Sequence, residues 1–195
     1  NISKEESMTA FTTEKIDVEP WFDMELFMGV SQETRLGGDV MDRFMTLWKN
    51  WLPHLTVKGI DTGKIKYLLV ALDESVEQDV DKAWEGSPSN AFLYNALAQT
   101  MCMAAVHAVI PEVQDAGCAP APKPTATLRE ALEAEGIPYS NDKDPILSRR
   151  YAVVTHYPFK GGCEICVLQS NWPKGQGQME ATSVVLPGYE HPQQM

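Results

Sequence analysis

The sequence has few of the features that identify a chemical class. Only four of its 195 residues are cysteine, too few for a disulfide-stapled scaffold in a chain of this length. Its only adjacent basic pair is Arg149-Arg150, and 27 acidic residues against 16 basic ones give a net charge of −11. Because such a surface repels phosphate backbones, no nucleic-acid partner is expected.

Long apolar runs are also missing. The most apolar stretch, MCMAAVHAVI at 101–110, is shorter than the roughly 18 residues of a membrane-spanning helix, so no membrane partner is expected. The first seven residues lack the apolar segment of a signal peptide. With Met8 as the natural start, the cytoplasm is the simplest compartment, although a periplasmic protein that has lost its signal peptide would have the same composition.

The common catalytic motifs are absent from the sequence. It contains no nucleophile elbow, phosphate-binding loop, dinucleotide fingerprint or HExxH. No catalytic residue is therefore predicted. Whether the protein is an enzyme stays undecided at this stage, because a site assembled from distant positions leaves no local motif.

The composition predicts one domain with a short polar arm. With 44% hydrophobic residues the chain can bury a substantial core without disulfides. Residues 1–19 are polar and lack a clear period, which predicts an N-terminal arm. Residues 20–195 then form a single α+β domain, in which 20–136 are mainly helical and 149–190 mainly β.

Apolar residues recur at helical spacing in several segments of the first two thirds of the chain. A short helix is predicted after Pro20 and a longer one after Gly37-Gly38. A third is predicted over 61–86 because one stripe of a helix would carry Ile65, Leu68, Leu69, Leu72, Val76, Val80 and Trp84.

Proline and glycine place the ends of the later helices. A long helix that starts at Ser87-Pro88 is predicted either to be kinked by Pro111 or to end at Ile110. After the extended connector CAPAPKPT, Thr125 or Thr127 can cap a short helix that Gly136 ends.

The last third of the sequence predicts strands. RRYAVVTHYPF and CEICVLQS are rich in β-branched and aromatic residues, and TSVVLPGYE suggests a third strand. The expected fold is α+β: a helical layer of four to five helices, followed by a two- to three-stranded antiparallel meander packed on it. Its exposed sheet edges would favour pairing between two copies of the chain.

Two cysteines, Cys163 and Cys166, form a CxxC behind Gly161-Gly162. In a regular hairpin they face opposite sides and lie roughly 10 Å apart, which forbids a disulfide or a shared metal. In a tight knuckle they could bind zinc or an iron–sulfur cluster, or exchange thiols. The regular hairpin is the favoured prediction. The further ligands that the knuckle would require are drawn from Cys118, Cys102, His107 and His156.

Methionine and tryptophan suggest a binding surface. Met24, Met28 and Met101 could line an adaptable apolar pocket, and Trp172 lies in a loop-forming stretch where it could anchor a partner. The sequence therefore predicts a soluble accessory or binding protein for an unidentified small apolar ligand or protein partner. The alternative is a metal-binding or thiol-redox protein centred on the CxxC.

Overall fold

The computed structural model describes residues 10–141 and 145–168, which contain six α-helices and four β-strands. Short 3₁₀ turns lie at Leu52–His54 and Cys163–Ile165. The elements in chain order are β1 (Thr12–Lys15), α1 (Met24–Ser31), α2 (Gly38–Trp51), β2 (Leu55–Asp61), β3 (Lys66–Leu72), α3 (Glu74–Gly86), α4 (Pro88–Val109), α5 (Glu112–Ala116), α6 (Ala126–Ala134) and β4 (Ala152–His156).

The strands form one antiparallel sheet in the order β1-β2-β3-β4. The predicted α+β class is confirmed. Helices cover both faces of this sheet, so β3 is buried on both sides: Leu68 and Val70 contribute to one core, and Leu69 and Ala71 to the other. Burial on two faces is why this strand reads as an unbroken apolar run.

The larger core lies between the sheet and helices α1 to α4. Its aromatic centre includes Phe27 and Phe44, whose rings are 5.0 Å apart, and Trp51, whose indole N–H donates to Asp79 across 2.9 Å. Helix α4 is long and apolar enough to cross a membrane by length and composition alone. Half of its most apolar window is buried inside the fold, as in the central helix of a soluble protein.

The smaller core lies on the opposite face, beneath α6. The Thr125 hydroxyl caps this helix by accepting from the Leu128 amide, and Gly136 ends it with φ +72°. Both features match the sequence-based prediction. An ion pair between Lys58 of β2 and Glu135 fixes the end of α6 to the sheet.

The predicted helix over 61–86 is wrong in its first half. Residues 66–72 form β3, and the helix begins only at Glu74, where the Asp73 side chain caps it. Six consecutive buried residues, 67–72, satisfy a helical and a strand period equally well, so periodicity could not separate them. The order of helices first and strands last is therefore also wrong.

The predicted second strand, CEICVLQS, is wrong over its described residues. After β4, Pro158 provides no donor, Gly161 turns with φ +53°, and the Glu164 carboxylate accepts from the Gly162 amide at 3.0 Å. The chain then forms the 3₁₀ turn instead of returning along β4 as a hairpin. The favoured straight hairpin through the CxxC is therefore not formed.

Two further predictions concern the N-terminal arm and the C-terminal part of the chain. Part of the expected N-terminal arm, Thr12–Lys15, is β1 and pairs with β2. The strand predicted from TSVVLPGYE and the loop that carries Trp172 lie outside the described residues.

Candidate strand-binding edge

The outer edge of β4 is the candidate functional site. The Leu72 amide donates to the Tyr151 carbonyl at 2.9 Å, and the Tyr157 amide donates to Lys66 at 3.0 Å. Because hydrogen-bonded residues alternate along an antiparallel strand, every second residue between these bonds points its N–H and C=O groups away from β3. The register therefore directs the backbone groups of Ala152, Val154 and His156 outwards.

These outward groups are unpaired within the described part of the chain. Neither a backbone nor a side-chain group of residues 10–141 and 145–168 forms a hydrogen bond with them. Unpaired strand edges are templates for another strand, and proteins commonly protect them with charge. The opposite edge strand, β1, carries Glu14 and Lys15, whereas the sequence of β4, AVVTH, contains neither an acidic residue nor a lysine or arginine.

A groove of about 300 Å³ runs along this edge. We call residues 152–154 of β4 its floor, Ala119 and Ala121 its first wall, and residues 145–147 its second wall. Leu168, the last described residue, also lines it. The surface along the free backbone groups is thus mainly apolar.

The proline-rich connector between α5 and α6 forms the first wall because the chain passes there from one face of the sheet to the other. Helix α5 contributes Val113 to the larger core and α6 contributes Leu128 to the smaller one, so the connector passes around the edge of the sheet. Thr155 of β4 donates its hydroxyl proton to the Pro120 carbonyl at 2.9 Å, and the Val167 amide donates to Ala121 at 3.0 Å. These bonds hold the wall beside the strand.

Two arginines at the mouth of the groove are already paired with α3. The Arg150 guanidinium donates to both oxygens of Asp81, at 2.7 and 3.3 Å, and these bonds hold the pKa of the Asp81 carboxyl below its ordinary value. The Arg150 amide donates to Glu77, and Arg149 lies 3.8 Å from the same carboxylate. With these charges compensated, the groove suits an uncharged segment.

Two polar side chains near Tyr67, those of Tyr139 and His156, each carry one buried polar atom. The Tyr139 hydroxyl and Nδ1 of His156 are buried without a hydrogen-bond partner among the described residues. The rings of Tyr67 and His156 lie 5.6 Å apart, and the Arg129 guanidinium lies 5.1 Å from the centre of the Tyr139 ring. Burial raises the pKa of Tyr139 to about 12; burial and then the Lys160 charge lower the pKa of His156.

We expect Tyr139→Phe to leave the free energy of unfolding unchanged or to raise it by up to about 1 kcal/mol, because it removes a buried hydroxyl that has no partner. Tyr151→Phe is the matched control: its hydroxyl donates to Asn95 at 2.9 Å, so its loss should cost about 1 kcal/mol. Urea unfolding of the three proteins checks this. Equal losses in both variants would show that the Tyr139 hydroxyl is paired.

The raised pKa of Tyr139 also predicts a pH dependence. Above pH 10, the ordinary value, the unfolded chain loses this proton first, so the stability present below pH 10 is lost as the pH rises towards about 12. Tyr139→Phe should lose less stability over this range than the wild type does. Unfolding curves at pH 9 and pH 11 measure the difference.

A second polar cluster, at the start of α3, resembles a catalytic triad in composition only. His54 Nδ1 lies 2.6 Å from Asp73 and 3.2 Å from the Ser75 hydroxyl. A triad requires the serine on the other ring nitrogen. Burial alone would raise the pKa of Asp73, but hydrogen bonds from Ser75 and His54 outweigh it and the pKa is lowered. The cluster therefore acts as the cap of α3.

The three methionines predicted to line one pocket differ in burial. Met101 is fully buried in the larger core, Met28 packs against that core, and Met24 is exposed on α1. The groove along β4 contains none of them. A pocket lined by these methionines, or a binding loop at Trp172, stays a prediction.

The predicted metal or thiol residues are spread over the fold. Cys102 lies in the larger core, where burial raises the pKa of its thiol to about 12 and the thiol donates to the Tyr151 carbonyl. His107 is half-buried on α4, and its pKa is lowered by burial. Cys118 and Cys166 are partly exposed. Cys118 directly precedes Ala119 of the connector, and Cys166 directly precedes Val167, whose amide donates to the Ala121 carbonyl.

Among the described residues, no three His, Cys, Asp or Glu side chains form a group that could hold a metal ion. Cys163 begins the 3₁₀ turn, and a site centred on the CxxC stays a prediction. Sequence reasoning missed the groove itself. The signals for it were an uncharged strand and a proline-rich connector, and only the fold shows that the two are neighbours.

No protein-family model matches the chain, and neither a curated protein nor a solved structure is significantly similar to it.

Proposed function

We propose that this chain is a binding protein that takes up an extended segment of a partner protein as an additional strand along β4. The observation that carries the proposal is the row of outward backbone groups at Ala152, Val154 and His156 beside an apolar groove. An added strand pairs with these groups, and its alternate side chains enter the groove.

A segment of polypeptide fits this surface better than a small apolar ligand does. A volume of about 300 Å³ is at the lower end of small-molecule sites, which are usually enclosed. An apolar ligand would also cover the free N–H and C=O groups without pairing them, which costs free energy. A strand pairs them and contributes apolar side chains at the same time.

The groove also predicts which segments bind. Its floor and walls contain alanine, valine, isoleucine and leucine, and the arginines at its mouth are paired with Glu77 and Asp81. We expect uncharged segments with β-branched residues at alternate positions, without proline at the positions that donate to β4.

A peptide-display library of random nonapeptides, selected on the full chain, tests the proposal. Ile146 lines the groove and is 58% exposed, so Ile146→Glu places a charge in the apolar wall at little cost to the fold. Peptides recovered on the wild type should bind this variant at least about tenfold more weakly, which corresponds to ~1.4 kcal/mol.

Met45→Glu is the matched control because Met45 is 39% exposed on α2 and lies outside the groove. It should bind the recovered peptides as the wild type does. Recovery of the same peptides on wild type and Ile146→Glu, with equal affinities, would contradict the proposal.

A further inference from the structure

We infer that the chain carries its own competitor for the β4 edge: residues 182–186, Thr-Ser-Val-Val-Leu, bind in the groove and have to be displaced by a partner. The inference rests on the proposed function of the groove. It adds a regulatory element, namely an internal segment of known sequence that sets how strongly an outside segment can bind.

The described part of the chain ends at the groove. Leu168 lines the groove, and the preceding residue, Val167, is held to the groove wall by its hydrogen bond to Ala121. The following chain therefore starts at the binding surface. Residues 169–181 provide a linker of 13 residues, which is long enough to reach along or reverse over a five-residue edge at roughly 3.3 Å per residue.

The composition of residues 182–186 matches the apolar groove. Residues 182–186 are uncharged, three of the five are β-branched, and the segment contains neither glycine nor proline. Pro187-Gly188 ends it. The linker before it contains Pro173, Gly175 and Gly177, which disfavour a strand. The part of the tail that matches the groove is thus separated from Leu168 by a segment suited to turning.

Covalent attachment to the same chain raises the effective concentration of residues 182–186 at the groove. A segment joined to its site by a short flexible linker is present at roughly millimolar effective concentration. A pairing of 182–186 with β4 that has a dissociation constant of about 0.1 mM would therefore occupy the edge in about nine chains of ten. The apparent affinity for an outside segment is the intrinsic affinity multiplied by the fraction of chains whose groove is free, so it falls about tenfold.

The test compares three full-length proteins. Val184→Pro with Val185→Pro removes donors in both registers that a strand could adopt. Gln193→Pro with Gln194→Pro is the control, since it adds the same number of prolines to the tail outside the segment. The probe is a fluorescent peptide of residues 180–188, EATSVVLPG.

We expect the peptide to bind the Val184/Val185 variant at least about tenfold more tightly than it binds the wild type or the control. The amides of Ala152 and Val154 should exchange with solvent at least about tenfold faster in that variant, without added peptide. The amides of Val153 and Thr155, which donate to β3, should be unchanged and show that the sheet is intact.

Equal affinities and equal exchange rates in the three proteins would overturn the inference. If the peptide still binds all three, the proposed function stands and only the internal competitor is excluded. If the peptide binds none of them and Ala152 and Val154 exchange equally fast in all, the internal competitor is excluded, and the peptides selected by display decide the proposed function.

Discussion

Ala152→Pro is expected to weaken the binding of selected peptides by about 100-fold or more, ~2.7 kcal/mol, in a protein that also carries Val184→Pro and Val185→Pro so that the tail does not compete, while the protein stays folded. Ala152 is the first residue of β4, and its N–H points away from β3. Proline is tolerated at the start of an edge strand and removes one donor that a bound strand would use. Its ring also blocks close approach of a partner backbone.

Val153→Pro, at the neighbouring position, should lower the stability of the protein rather than its affinity for the peptide. The Val153 N–H faces Val70 of β3, so proline there leaves a buried carbonyl unpaired at a cost of about 1–3 kcal/mol in stability. Titration with a labelled selected peptide and urea unfolding separate the two effects. Unchanged peptide affinity in a folded Ala152→Pro protein would show that β4 does not bind through its outer edge.

Leu68→Ala and Leu69→Ala are each expected to lower the free energy of unfolding by about 2–5 kcal/mol. Both side chains are fully buried although they are adjacent in sequence. They face opposite sides of the sheet and enter separate cores, so the loss in the double variant should be close to the sum of the two.

Met45→Ala is the control for these two substitutions, because a partly exposed surface side chain should change stability by about 0.5 kcal/mol or less. Urea unfolding of the wild type and the four variants measures these differences. A small loss at either leucine, comparable to that of Met45→Ala, would contradict the burial of β3 on both faces.

Local signals in the sequence predicted those elements that local chemistry determines. Ser87-Pro88 opens α4, Thr125 caps α6, and Gly136 ends it with a positive φ. The predicted strand RRYAVVTHYPF contains β4. Each of these depends on a cap, a turn or a short period, which a few neighbouring residues specify.

Tertiary contacts determined the remainder. Residues 67–72 are a strand because α4 and α6 bury both of its faces, and no local pattern reports which period an unbroken apolar run will follow. The predicted hairpin does not form because the chain turns at Gly162, where the Glu164 carboxylate accepts from the Gly162 amide. The sequence alone favoured an extended path there.

The candidate site was hidden from sequence reasoning for the same reason. Its floor, residues 152–154, and its wall at Ala121 are about 30 positions apart in the chain and meet only because the connector passes around the sheet. Cysteine and methionine have distinctive side chains, whereas the groove contains ordinary alanine, valine and leucine. Its distinguishing feature is the row of outward backbone groups, which no pattern of side chains reports.

An NMR experiment on the ¹⁵N-labelled full chain with an unlabelled selected peptide tests strand addition most directly. Intermolecular nuclear Overhauser effects should connect peptide backbone protons with the amide protons of Ala152 and Val154. Peptide contacts confined to other parts of the molecule, such as the exposed methionines of α1 and α2, would contradict binding at the edge of β4.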